Sequence, residues 1–162
     1  MTYVYVEVAM TGLSTMKTSM FSNLKFKIGE EMTKAAKIQE MLPGAKIQDS
    51  AFVRNGYSMN AIEGLKIFTI HITPKEAFSF ASFESGGYDL KSVLEELLLK
   101  VLKVVDCLDL EQFFVVIYEY ADEKKKEQVN IHKYMNTNIS SIPLTEGKLV
   151  LLTFKTMMEL EF

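Results

Sequence analysis

Between Ala45 and Glu84 the chain is a succession of short strand-like runs separated by very little: Asn55-Gly56, Gly64 and Pro74 punctuate four of them. Connections this short join antiparallel neighbours, because a parallel crossover needs a dozen or more residues. The clearest run is Lys66–Thr73. Alternation puts Phe68, Ile70 and Ile72 on one face and Thr69, His71 and Thr73 on the other, the pattern of a half-buried strand.

The rest of the chain extends this pattern. Residues 3–10 alternate Tyr, Val and Glu and read as a further strand. Ser14 is placed to cap a short helix through Phe21, and Glu30–Leu42 reads as a second helix stopped by Pro43-Gly44. In Leu90–Val105, apolar residues recur at three- and four-residue spacing and predict one long helix with a single buried face, preceded by Gly86-Gly87 and a capping Asp89. Gln112–Tyr120, Val129–Met135 and Lys148–Thr156 read as three more strands. The expectation is a single α+β domain over residues 1–162, an antiparallel sheet of about eight strands with helices on one face.

At 162 residues and 48% hydrophobic composition the chain can bury a core as one domain. A net charge of −3 supplies no basic face for nucleic acid. Val93–Val105 is too short and too charged to span a bilayer, and the N-terminus lacks the pattern of a signal peptide. The single cysteine, Cys107, rules out an internal disulfide framework, so the expected compartment is the cytosol. Asp122–Glu127 is mixed in sign and reads as a solvated turn.

Few residues carry a chemical signal. His71 shares a strand face with threonines, and such a histidine is either a structural hydrogen-bonding group or a catalyst. Ser58, in Gly56-Tyr57-Ser58-Met59-Asn60, reads equally as a strand-edge residue, and Phe52 as core. His71 and His132 lie far apart with no cysteine pair, which leaves no zinc motif and no expected metal.

The blocks Pro43-Gly44, Phe52, Gly56–Asn60, Thr69–Pro74 and Phe78–Glu84, in this order and spacing, resemble the second half of eukaryotic, plant-like S-adenosylmethionine decarboxylase. Met10–Leu13, Met32-Thr33 and Gly87–Leu90 extend the likeness over about residues 4–105. That family is a pyruvoyl-dependent lyase of spermidine and spermine biosynthesis, folded as a four-layer αββα sandwich of two similar halves. The resemblance implies that this chain is one half. It implies that Phe52 stacks on the adenine of S-adenosylmethionine, that Ser58 and His71 assist self-cleavage and line the decarboxylation pocket, and that Glu84 belongs to a buried charged site between the sheets.

Two departures follow. The family's Glu after Thr-Ile-His-Ile-Thr-Pro, which clamps the ribose, is replaced by Lys75, with Glu76 next; on a strand, that one-residue shift would turn the carboxylate to the other face. The Glu-Ser-Ser segment that generates the pyruvoyl group does not occur in these residues. The expectation is a chain that forms no pyruvoyl group and is inactive alone. The alternatives are a regulatory or structural partner of a full-length decarboxylase, and one chain of a two-chain enzyme. An uncovered sheet face would further imply a homodimer or a complex with a full-length homologue.

Overall fold

The computed structural model describes residues 4–13, 18–76, 79–88, 112–119, 131 and 134–157. Eight strands form one sheet: β1 (Val4–Thr11), β2 (Lys46–Ala51), β3 (Tyr57–Glu63), β4 (Lys66–Thr73), β5 (Phe80–Tyr88), β6 (Gln112–Glu119), β7 (Tyr134–Leu144) and β8 (Gly147–Thr156). Their spatial order is β2-β3-β4-β5-β1-β6-β8-β7, and every neighbouring pair is antiparallel. Four hairpins, β2–β3, β3–β4, β4–β5 and β7–β8, pair consecutive strands as their short connections require. Chain order is broken at two places: β1 is inserted between β5 and β6 at the centre of the sheet, and β8 lies between β6 and the edge strand β7.

Alternation decides which side of each strand is buried. Val4, Val6, Val8 and Met10 of β1 lie on one face with Tyr57, Met59 and Ala61 of β3, Phe68, Ile70 and Ile72 of β4, Phe83 of β5, Phe113, Val115 and Ile117 of β6, and Leu152 and Phe154 of β8. Phe113 and Phe154 stack across β6 and β8 with ring centroids 5.0 Å apart. Helix α1 (Gly29–Ala35), helix α2 (Ile38–Met41) and a 3-10 turn at Ser19–Phe21 add Met32, Ile38, Met41 and Phe21 to the same core. A shared hydroxyl anchors α1 to the sheet. Thr33 Oγ1 lies 2.7 Å from the buried Tyr57 hydroxyl and donates to a carboxylate oxygen of Asp49 on β2.

The structure departs from the sequence expectations in several places. The helix expected over Glu30–Leu42 is two short helices, separated by Lys37 in the left-handed region at φ 55°. A straight helix would place Ile38 about 120° around the axis from Met32. The break lets both reach the core, where each is fully buried. Of the strand expected at Val129–Met135, the described part is an isolated bridge between Ile131 and Tyr134 and the start of β7, which runs on to Leu144. Of the helix expected from Ser14, the described part is the 3-10 turn. The Leu90–Val105 helix, Cys107, the 122–127 charge run, Phe78 and His132 lie outside the described residues.

Candidate functional site

The second face of the sheet is half-buried and polar at its centre. On it Ser58 of β3 lies directly opposite His71 of β4, and His71 directly opposite Ser82 of β5. Such pairs carry their Cβ atoms roughly 4.5–5.5 Å apart. The two residues singled out in sequence are therefore lateral neighbours, and Ser82 completes a Ser-His-Ser row. The β3–β4 hairpin fixes this register. It turns at Gly64-Leu65, with Gly64 at φ 62°, and pairs Glu63 with Lys66.

One step along the strands comes a second row, Asn60, Thr69, Glu84 and Glu7. Thr69 donates to the Asn60 side-chain oxygen at 3.0 Å. Glu84 and Glu7 face each other across β5 and β1, and the Tyr5 hydroxyl donates to Glu84 Oε2 at 2.5 Å. Desolvation, followed by the bond to Glu84 and the two carboxylate charges, pushes the Tyr5 phenol well above its ordinary value and keeps it a donor. On the other side of the Ser-His-Ser row, Phe80 lies opposite Thr73 and Thr11 and is exposed.

Phe52 is not a core residue. It sits just past β2 in the β2–β3 turn, 48% exposed, with its N–H donating to the Gly56 carbonyl at 2.9 Å. The turn requires positive φ at Asn55 (65°) and Gly56 (142°), and a Cβ at Gly56 would come within 2.9 Å of the Phe52 ring. Asn23 brackets the turn by donating from its side chain to the Phe52 and Val53 carbonyls, while Asn55 Oδ1 accepts from the Ser22 hydroxyl and the Asn23 N–H. The aromatic ring is thus held at the end of the hairpin whose strand carries Ser58.

Lys75 and Glu76 correct one sequence argument. β4 ends at Thr73, so both lie in the β4–β5 connection, exposed, and strand parity does not assign them to opposite faces. The Ser79 hydroxyl bonds both the N–H and the carbonyl of Lys75 at 3.2 Å, and lies 3.2 Å from Thr18 Oγ1. The structure therefore gathers Ser58, His71 and Glu84 on one face with Phe52 at its end, and leaves Lys75 and Glu76 at the turn beyond His71. Sequence reasoning missed Ser82, Glu7, Tyr5 and Phe80 as members of this face. Strand parity was available for Ser82 and Phe80, whereas Glu7 and Tyr5 required the position of β1. Among the described residues no group of three or more His, Cys, Asp and Glu side chains could hold a metal ion.

Comparison with known proteins shows the family and the fold. The family model described as adenosylmethionine decarboxylase matches residues 2–155. The chain belongs to the adenosylmethionine decarboxylase family. It is 44% identical over 114 residues to S-adenosylmethionine decarboxylase proenzyme 3 of Arabidopsis thaliana, covering 70% of this chain and 32% of that protein. Against the S-adenosylmethionine decarboxylase proenzyme of Vicia faba it is 41% identical over 124 residues, 76% of this chain and 34% of the relative. The chain thus spans about a third of the length of these decarboxylase proenzymes. In fold it resembles the crystal structure of the Trypanosoma brucei AdoMetDC-delta26 monomer, with a TM-score of 0.77 and 24% identity, over 95% of this chain and 65% of that one. The eight-stranded sheet is accordingly of the adenosylmethionine decarboxylase type.

Proposed function

We propose that this chain provides the second-half sheet of an S-adenosylmethionine decarboxylase, presenting Phe52, Ser58, His71 and Glu84 to a reaction centre that a first-half polypeptide completes. The observation that carries the reading is the direct opposition of Ser58 and His71 on the polar sheet face, with Phe52 fixed at the same hairpin. A pyruvoyl group fits this donor set: a hydroxyl and an imidazole side by side can bind and protonate groups at a carbonyl-bearing centre. When bound, that group supplies the electron sink for loss of CO2. His71 then holds or moves a proton at its ring nitrogen, Ser58 donates or accepts beside it, and Phe52 offers its exposed ring to a flat heterocycle. Glu84, held by Tyr5, sets a negative charge one row away. In the β4–β5 connection, the exposed Glu76 would supply the carboxylate that accepts from ribose hydroxyls, in place of the one absent at Lys75.

The same reading makes the chain inactive alone, since these residues contain no Glu-Ser-Ser. A companion sheet over the polar face, from a full-length homologue or a second copy of this chain, would complete the sandwich. A purely non-catalytic partner is the second reading, favoured by Lys75. Co-expression with the first-half polypeptide of the Vicia faba relative separates the two. CO2 release from carboxyl-labelled S-adenosylmethionine is expected only in the co-expressed complex, and is expected to vanish with His71→Ala. Release by the chain alone, or full activity of the His71→Ala complex, would overturn the proposal. A stable complex with no activity would establish the non-catalytic reading.

A further inference from the structure

The turn that carries Phe52 is held from outside itself. From Phe52 to Arg54 its tip is exposed, Val53 at 91%. One bond closes it from within, running from the Phe52 N–H to the Gly56 carbonyl. Among the described residues, the only side-chain hydrogen bonds to the backbone of Phe52, Val53 and Arg54 come from Asn23. Its Nδ2 donates to the Phe52 carbonyl at 3.4 Å and to the Val53 carbonyl. In return Asn55 Oδ1 accepts from the Ser22 hydroxyl at 3.1 Å and from the Asn23 N–H at 3.2 Å. Asn23 is itself fixed. It follows Phe21, which is buried with its ring centroid 5.3 Å from that of Tyr57, the first residue of β3. It also follows Ser22, whose carbonyl accepts from the Lys25 and Phe26 N–H groups at 3.0 and 3.2 Å. Lys27 Nζ donates to the Asn23 carbonyl at 2.6 Å. The amide that reaches the turn is therefore rooted in the core rather than carried on a free loop.

The effect of Asn23 falls on Phe52. Both peptide groups flanking the Phe52 Cα are engaged, its N–H by Gly56 and its carbonyl by Asn23. The ring rests on Gly56, where a Cβ would come within 2.9 Å of it, so these two bonds settle where its exposed side points. From this we infer that Asn23 is a positioning residue: it meets no reacting atom, and it fixes the Phe52 ring as a preformed platform for a flat heterocycle. The inference rests on the role given above to Phe52 and adds what aims the ring. A binding group that is in place for only a fraction of the time weakens apparent affinity by that fraction. Freeing the ring therefore acts on binding and spares the chemical step at Ser58 and His71.

Arg54 is the only arginine in the chain, so an arginine-specific protease has one bond to cut and reports directly on this turn. In the full chain, Asn23→Ala is expected to speed that cut about tenfold, because cleavage follows the population of the opened turn. It is also expected to shift and broaden the fluorine NMR line of para-fluorophenylalanine placed at Phe52, with the circular dichroism unchanged. Asn23→Asp is expected to match Asn23→Ala, since a carboxylate has no proton to donate. In the complex co-expressed with the first-half polypeptide, Asn23→Ala is expected to raise KM for S-adenosylmethionine about fivefold, with kcat and its pH profile held. Unaltered cutting and an unaltered fluorine line in Asn23→Ala would overturn the inference whatever the activity. So would an Asn23→Asp chain as resistant as the wild type, faster cutting with an unchanged KM, or a fall in kcat at constant KM. A wild-type complex without activity bears on the proposed catalysis instead, and adenosine titrated against the fluorinated full chain then decides the inference. A saturable shift that Asn23→Ala weakens supports it; no shift, or one that Asn23→Ala leaves unchanged, overturns it.

Discussion

Removing the Thr33 hydroxyl should cost more stability than removing the Tyr57 hydroxyl it meets, although one bond joins the two. The reason lies in what each deletion leaves behind. Tyr57 is fully buried, and its hydroxyl lies 2.7 Å from Thr33 Oγ1, which in turn donates to Asp49 with the Gly29 carbonyl 3.0 Å away as a second acceptor. Thr33 has one proton to give, so Tyr57 must be the donor in their bond. Tyr57→Phe removes that donor and leaves Thr33 still bonded to Asp49, a net loss of one hydrogen bond, about 0.5–1.5 kcal/mol. Thr33→Val is nearly isosteric but strands a phenol in the core, at about 1–3 kcal/mol, and deprives Asp49 of a donor, adding about 1 kcal/mol. The double variant removes both halves of the buried pair and should recover the cost of the stranded phenol, a coupling of about 1–2 kcal/mol. Urea unfolding followed by circular dichroism measures all three. With a slope near 2 kcal/mol per molar, Thr33→Val should lower the midpoint by roughly 1 M or more and Tyr57→Phe by about half that or less. Equal losses, or strictly additive ones, would show that the Tyr57 hydroxyl finds Asp49 or water once Thr33 is gone, and would refute the accounting.

Three further outcomes are expected. Gly56→Ala forces a side chain into a φ of 142° against the Phe52 ring and the Ile72 carbonyl, and should destabilise by about 1–3 kcal/mol in thermal melts while displacing Phe52. The Tyr57 phenol is held well above its ordinary value, first by burial and then by the Asp49 charge. The folded state thus keeps a proton that the unfolded state releases above about pH 10, so stability should be intact below that pH and fall by up to about 1.4 kcal/mol per unit above it, visible as a step of tyrosinate absorbance at unfolding that Tyr57→Phe diminishes. Finally, the purified chain should show the intact mass of its sequence and no reaction with a ketone probe; a pyruvoyl-terminated fragment beginning at Ser85 would refute the assignment of the cofactor to another polypeptide.

Much of the sheet could be read directly from the residues because its determinants are local. The two-residue period of Phe68, Ile70 and Ile72 against Thr69, His71 and Thr73 assigns faces without any knowledge of neighbours, and all three apolar residues are buried. Short turns at Asn55-Gly56 and Gly64 then commit β2, β3 and β4 to adjacent antiparallel places, which put Ser58 beside His71. What the sequence could not decide is what rests on distant partners. The insertion of β1 between β5 and β6 brings Glu7 and Tyr5 to Glu84 across 77 and 79 positions of chain, and no local pattern encodes that choice. The break at Lys37 is likewise a tertiary outcome, since residues with good helical spacing accept a left-handed residue so that Met32 and Ile38 share one core. Phe52 looks like core by type and is exposed by position, because the β2–β3 turn ends the strand one residue before it. Lys75 and Glu76 escape strand parity for the same reason at the end of β4. Alternation is a property of the backbone and can be read from one strand; register, edges and strand ends are properties of the assembled sheet, and only the fold sets them.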